Sequence, residues 1–172
     1  MATEAAGSAL PLGHELVGTG ATRVVVMNDW LCDTSTWDGA RPYLDGTRFT
    51  FAFADLRGYG RSRGRTGAFT VEEAASDVLA LADALGWTEL AVVGHSMSSL
   101  VALHLAQGHA GRVRRVVVIT PPPPAGFGVV VSSSAAVATL GALVFLVAAT
   151  APLCYGYALR QTARVLTTAA EV

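Results

Sequence analysis

Leu90-Ala91-Val92-Val93-Gly94-His95-Ser96-Met97-Ser98 decides how this chain folds. Leu90 to Val93 is a short apolar run that ends on a glycine. A serine follows two positions later, ahead of a helix-compatible stretch, Ser98 to Gln107. A strand that turns sharply into a helix lifts such a serine hydroxyl out of the sheet. The same turn puts the next backbone N–H, that of Met97, at a helix N-terminus, where it stabilises negative charge. Ser98 stands where a G-x-S-x-G pattern has its second glycine. That position packs against neighbouring backbone, so a small residue is the next best choice.

Working outward, the flanking segments alternate between strand and helix signals. Glu15 to Val17 reads as a short first strand, ended by Gly18-Thr19-Gly20. Arg23–Met27 carries three consecutive valines, and Phe49–Ala54 is a second apolar run closed by Asp55. Val116–Ile119 is a third. Continuous β-branched or aromatic runs fit strands buried on both faces. Thr70 to Leu85 predicts a helix. Thr70 and Glu73 form a T-x-x-E capping box, and Val71, Ala74, Ala75, Val78, Ala82 and Leu85 share one face. Gly86 and Gly108 are placed to stop the two helices. The expected class is α/β, a mostly parallel sheet with helices on both faces, built from right-handed crossovers.

Composition narrows the function. A chain of 172 residues has room for one domain with a real core. A net charge of -1 implies no nucleic-acid footprint. All twelve basic residues are arginine, a pattern expected of a GC-rich coding sequence. Cys32 and Cys154 have neither metal-ligand nor disulfide-framework spacing. No metal and no cofactor is implied. An early Glu4 and the lack of a basic segment before an apolar one argue against a signal peptide, so the expected setting is cytoplasmic and bacterial.

Three motifs, in order, carry a family resemblance. They are Asn28-Asp29-Trp30 after the first long strand, Asp55-Leu56-Arg57-Gly58-Tyr59-Gly60-Arg61-Ser62, and Gly94-His95-Ser96-Met97-Ser98. Together they resemble the α/β-hydrolase superfamily over Leu12 to Pro124, with the second motif matching its D-x-R-G-x-G-x-S loop and the third its nucleophile elbow. The resemblance implies a partial hydrolase fold and serine-type hydrolysis of a carboxylic ester or related acyl bond in a small-molecule substrate. It implies Ser96 as nucleophile and the backbone N–H groups of Trp30 and Met97 as the oxyanion hole. Asn28-Asp29 departs from the usual His-Gly. It brings a carboxylate to a place meant for developing negative charge, where it would oppose catalysis if turned inward. An aspartate at position 96 would have suggested epoxide or haloalkane chemistry instead.

A serine nucleophile needs a base and an orienting acid, which in this family follow it in the order acid, then histidine. Beyond Ser96 the carboxylate side chain is Glu171 and the histidines are His104 and His109. His104 lies about 12 Å along a regular helix from Ser96, beyond hydrogen-bond reach. His95 flanks the serine and is expected to project away from it, as a packed, hydrogen-bonded residue of the turn. The triad is therefore incomplete, which keeps open a non-catalytic hydrolase-fold binding protein or a membrane-tethered module.

The chain divides into a hydrolase core, 1–124, and an apolar tail, 125–172. No charge occurs between Arg115 and Arg160. The tail reads as the product of truncation or frameshift, as a transmembrane anchor, or as cap helices over the site. Val129 to Leu159 is expected to be helical, with membrane association or poor solubility as the consequence. Pro121 to Pro124 reads as a rigid exit from the sheet. Trp30 and Trp37 are candidates for lining an acyl pocket, with Trp37 more simply a core anchor. Arg57 reads as an organiser of its own glycine loop, and Arg61, Arg63 and Arg65 as solvated charge.

Overall fold

Alternation of large and small residues sets the two faces of the sheet. In the computed structural model, which describes residues 11–122, the strand Phe49–Ala54 is buried at all six positions. Phe49, Phe51 and Phe53 point to one face, and Ala52 and Ala54 to the other. The elements in chain order are β1 (His14–Val17), β2 (Thr22–Met27), β3 (Phe49–Ala54), α1 (Val71–Ala84), β4 (Leu90–His95), α2 (Met97–Gly108) and β5 (Val113–Ile119). Short 3-10 turns occupy Thr34–Trp37, Arg41–Tyr43 and Gly60–Ser62.

The strands form one sheet in the order β1-β3-β2-β4-β5. β1 runs antiparallel to β3, and the other pairs are parallel. The four longer strands are thus the expected parallel set, and β4 lies inside the sheet between β2 and β5. β1 is the antiparallel addition at the edge. Both faces carry helices, of different kinds. α1 and α2 pack together over Val25, Met27, Ala52, Ala54 and Val92. The small β3 residues on that side let the helices approach. Opposite them, Trp37 at the end of the first 3-10 turn and Ala40 just before the second cover Val24, Val26, Val93 and the three phenylalanines. Val78, Leu81 and Leu105 are fully buried, and each such side chain contributes about 1.5–3 kcal/mol.

The caps follow from the sequence, with two differences. Thr70 Oγ1 accepts from Glu73 N–H at 3.2 Å, and the Glu73 carboxylate accepts in turn from the N–H of Phe69 at 2.7 Å, one residue earlier than the simplest box. Gly86, at φ +69°, ends α1. α2 runs through Gly108 and stops at His109. β5 starts three residues earlier than its apolar run, because Val113 is buried while Arg114 and Arg115 face solvent.

Chain order reverses between β2 and β4: from β2 the chain moves to β3 on one side, and from β4 to β5 on the other. Loops that leave the carboxyl ends of such strands diverge and open a crevice, which is where parallel sheets bind ligands. Asn28–Trp30 and Ser96 sit at these two ends. Residues 125–172, including Val129 to Leu159, lie outside the described residues. Among the described residues no helix is long and apolar enough to cross a membrane.

Candidate active site

Ser96 separates β4 from α2 with φ 49° and ψ −113°. A non-glycine residue in this region of backbone space is strained by roughly 1–3 kcal/mol, and the surroundings must hold it there. They do so through backbone and small hydroxyls. Ser96 N–H donates to the Ile119 carbonyl at 2.9 Å. Ser98 Oγ accepts from His95 N–H at 3.0 Å and donates to the His95 carbonyl at 3.1 Å. Ser99 Oγ reaches the carbonyls of Gly94 and Ile119. The serine at the second glycine position therefore fastens the turn, a role glycine could not fill. Met97 is the first residue of α2, so its N–H belongs to the group that a helix leaves without an intrahelical partner.

The loop after β2 is ordered by Asn28, which is fully buried. Its Oδ1 accepts from Leu56 N–H at 2.7 Å, and its Nδ2 donates to the carbonyls of Asp29 and Cys32, each at 2.9 Å. Asp55, also buried, ties the loop after β3 to the same region by accepting from Thr34 N–H at 2.8 Å and Arg61 N–H at 3.0 Å. Asn28 thus orders the loop at the position where the resemblance would put a histidine. Asn28 and Asp55 were not legible as a pair. The signal available was a polar residue closing each buried strand.

Asp29 is the unexpected member. Trp30 N–H donates to its Oδ1 at 2.6 Å, and its Oδ2 lies 3.1 Å from His95 Nδ1. A carboxylate only accepts, so the His95 proton is on Nδ1 in this contact. Burial pushes the Asp29 pKa up, but hydrogen bonds from His95, the Trp30 amide and Ser96, with the His95 charge, outweigh it and hold the group below the usual carboxylate range. Trp30 N–H and His95 Nδ1 meet on this one carboxylate, and Ser96 and Met97 follow His95 in the chain.

Other readings resolve simply. The His95 ring meets Trp37 edge-on at 6.3 Å and bonds Asp29, as a packed residue of the turn does. His104 lies two turns along α2, and His109 caps its far end. Trp37 is buried and donates from Nε1 to the Met27 carbonyl, so it anchors the core. Trp30 is 61% exposed. Arg57 forks onto Asp77 at 2.8 and 2.9 Å and contacts Glu73, which fixes its own loop to α1. Arg65 also pairs with Asp77, and Arg61 with Glu15. Among the described residues no group of three or more His, Cys, Asp or Glu is gathered to hold a metal. Beside Met97 an apolar slot of about 160 Å³ runs between Tyr59, Phe69, Ala74, Leu100 and Val101.

Strand, elbow and loops in this arrangement define a class. Residues 24–137 match the sequence pattern of the α/β hydrolase fold family, and the chain belongs to that family. Among characterised relatives, it is similar to the pimeloyl-[acyl-carrier protein] methyl ester esterase of Klebsiella pneumoniae (strain 342), with 34% identity over 103 residues, 60% of this chain and 38% of the relative. Among solved structures, it is similar to the enol-lactonase from Burkholderia xenovorans LB400, with a TM-score of 0.55 and 32% identity over 61% of this chain and 41% of that one. It is also similar to an epoxide hydrolase, with a TM-score of 0.59 and 27% identity over 69% of this chain and 40% of the other. The chain spans about 38% of the length of the esterase it matches.

Proposed function

We propose that this chain is a serine-type hydrolase acting on a carboxylic ester or related acyl bond of a small molecule. The observation that carries the reading is the strained Ser96 backbone at the junction of β4 and α2. In this reading Ser96 Oγ attacks the carbonyl carbon. The carbonyl oxygen becomes an oxyanion held by the amides of Trp30 and Met97. The proton lost by the Ser96 hydroxyl leaves on the alcohol as the acyl C–O bond breaks, and water then releases the acid and returns a proton to Ser96 Oγ. Serine rather than aspartate at position 96 favours acyl transfer over the chemistry of an epoxide hydrolase. The slot beside Met97 takes the apolar part of the substrate. A dry apolar cavity of about 150 Å³ accommodates benzene, so a phenyl or short branched alkyl group fits. The setting proposed is cytoplasmic.

The position of Asp29 favours a second reading, a hydrolase-fold binding protein without turnover, because its carboxylate already occupies the Trp30 amide. Labelling with a fluorophosphonate separates the two. Hydrolysis requires Ser96-dependent labelling, weak in this chain because beyond Ser96 the sequence offers no acid–histidine pair within reach of the serine. Ser96→Ala should abolish it, since losing a nucleophile costs about 10⁶-fold. Labelling that survives Ser96→Ala would remove Ser96 from the role.

A further inference from the structure

An anion site can be recognised by what fills it. Two backbone amides are offered to an oxyanion in the reading above, on which this inference rests. One of them, Trp30 N–H, already donates to a carboxylate of its own chain at 2.6 Å. That carboxylate is not a mobile surface group. Its side chain is 16% exposed, and its second oxygen is held by His95 Nδ1 at 3.1 Å. Asn28 fixes the backbone from both sides by bonding the Asp29 carbonyl and the Leu56 amide. His95 is itself braced by Trp37.

We propose that Asp29 is the resident ligand of the oxyanion hole, a carboxylate that occupies the Trp30 amide until an incoming carbonyl displaces it. Two consequences follow from charge and geometry. The Trp30 amide cannot serve two acceptors at full strength. An oxyanion forming on Ser96 meets like charge. Asp29 is thus a positioning residue that holds the site closed, and its rotation away from Trp30 is the opening step.

The test uses the full chain and two variants, Asp29→Gly, which empties the position, and Asp29→Asn, which keeps its shape without charge. Inorganic phosphate is titrated in while the amide resonances of Trp30 and Met97 are followed by NMR. Phosphate should bind Asp29→Gly at least about tenfold more tightly than wild type, a difference of about 1.4 kcal/mol, and shift both amides, with Asp29→Asn in between. Equal affinity in all three proteins, or shifts confined to other amides, would overturn the inference. Fluorophosphonate labelling of the same proteins is scored separately. Faster labelling of both variants than of wild type agrees with a closed hole. Slower labelling of both would make Asp29 the base instead and overturn the inference. Tighter phosphate binding with no labelling in any protein leaves the closed hole standing and defeats the hydrolase reading alone.

Discussion

Gly94 and Ser98 are in contact through bare backbone: a Cβ placed on Gly94 would lie 2.4 Å from the Ser98 carbonyl oxygen and 2.7 Å from Ser99 N. No side chain can rotate to relieve that approach, because the atoms belong to the first turn of α2. Gly94→Ala should destabilise by about 3 kcal/mol, the upper range for overpacking. Urea unfolding should show it, and Gly111→Ala, where nothing lies within 4 Å, is the control. A Gly94→Ala protein as stable as wild type would show that the elbow is looser than this contact implies.

Ser96 holds positive φ without being glycine. Ser96→Gly should raise stability by about 1 kcal/mol, the relief of strain less the entropy that glycine adds to the unfolded chain. The same substitution should remove fluorophosphonate labelling. A melt unchanged or lowered by Ser96→Gly would mean that the conformation costs little.

Arg57 and Asp77 form a forked pair, with side chains 16% and 7% exposed. Breaking a pair this buried from one side leaves the Asp77 carboxylate with Arg65 as its partner, so Arg57→Ala should cost up to about 3 kcal/mol. Arg65 keeps one contact to Asp77 and sets the lower bound of the effect. Arg57→Lys should recover less than half, because an ammonium cannot fork. Denaturant midpoints of the three proteins check this. A loss under about 0.5 kcal/mol, the usual range for an exposed charge, would assign the arginine elsewhere.

Asp29 also gives a pH dependence with a definite sign. Its pKa is lower in the folded chain than in the unfolded one. The stability it contributes is therefore present above the unfolded value, near about 3.9, and is lost as pH falls through the lower folded value. Asp29→Asn should flatten the acid limb of a melting-temperature profile below about pH 4, while lowering stability at neutral pH by roughly 1–2 kcal/mol. Identical acid limbs for both proteins would show that Asp29 does not titrate differently on folding.

Most of the scaffold was readable because its strands are continuous runs buried on both faces. Phe49–Ala54 is legible with its true ends, since Asp55 closes it and is itself buried. β5 reads short because Arg114 and Arg115 hide strand pairing behind exposed charge; register with Leu90 and Ala91, not side-chain pattern, extends it to Val113. At the candidate site, local pattern marked the turn that carries Ser96 and Met97, since a turn between strand and helix is a property of adjacent residues, whereas Trp30 was expected from the family resemblance alone. The Asp29–His95 contact was not legible. It joins residues far apart in the chain, and only the adjacency of β2 and β4 brings them together. Chain neighbours alone suggested that His95 would turn away from the serine; they could not supply the carboxylate it turns toward.

The bond from Ser96 N–H to the Ile119 carbonyl has a mechanical meaning. Ser99 Oγ reaches that same carbonyl, so the last residue of β5 is pinned to the elbow twice. Thr120 follows at φ 45°, and the proline run begins directly after it. A tug on the chain there is thus delivered, over two hydrogen bonds, to the backbone that aims the serine. Segment and Ser96 share one hinge pin, and a substitution in Pro121 or Thr120 should be felt at Ser96 before it is felt in the core.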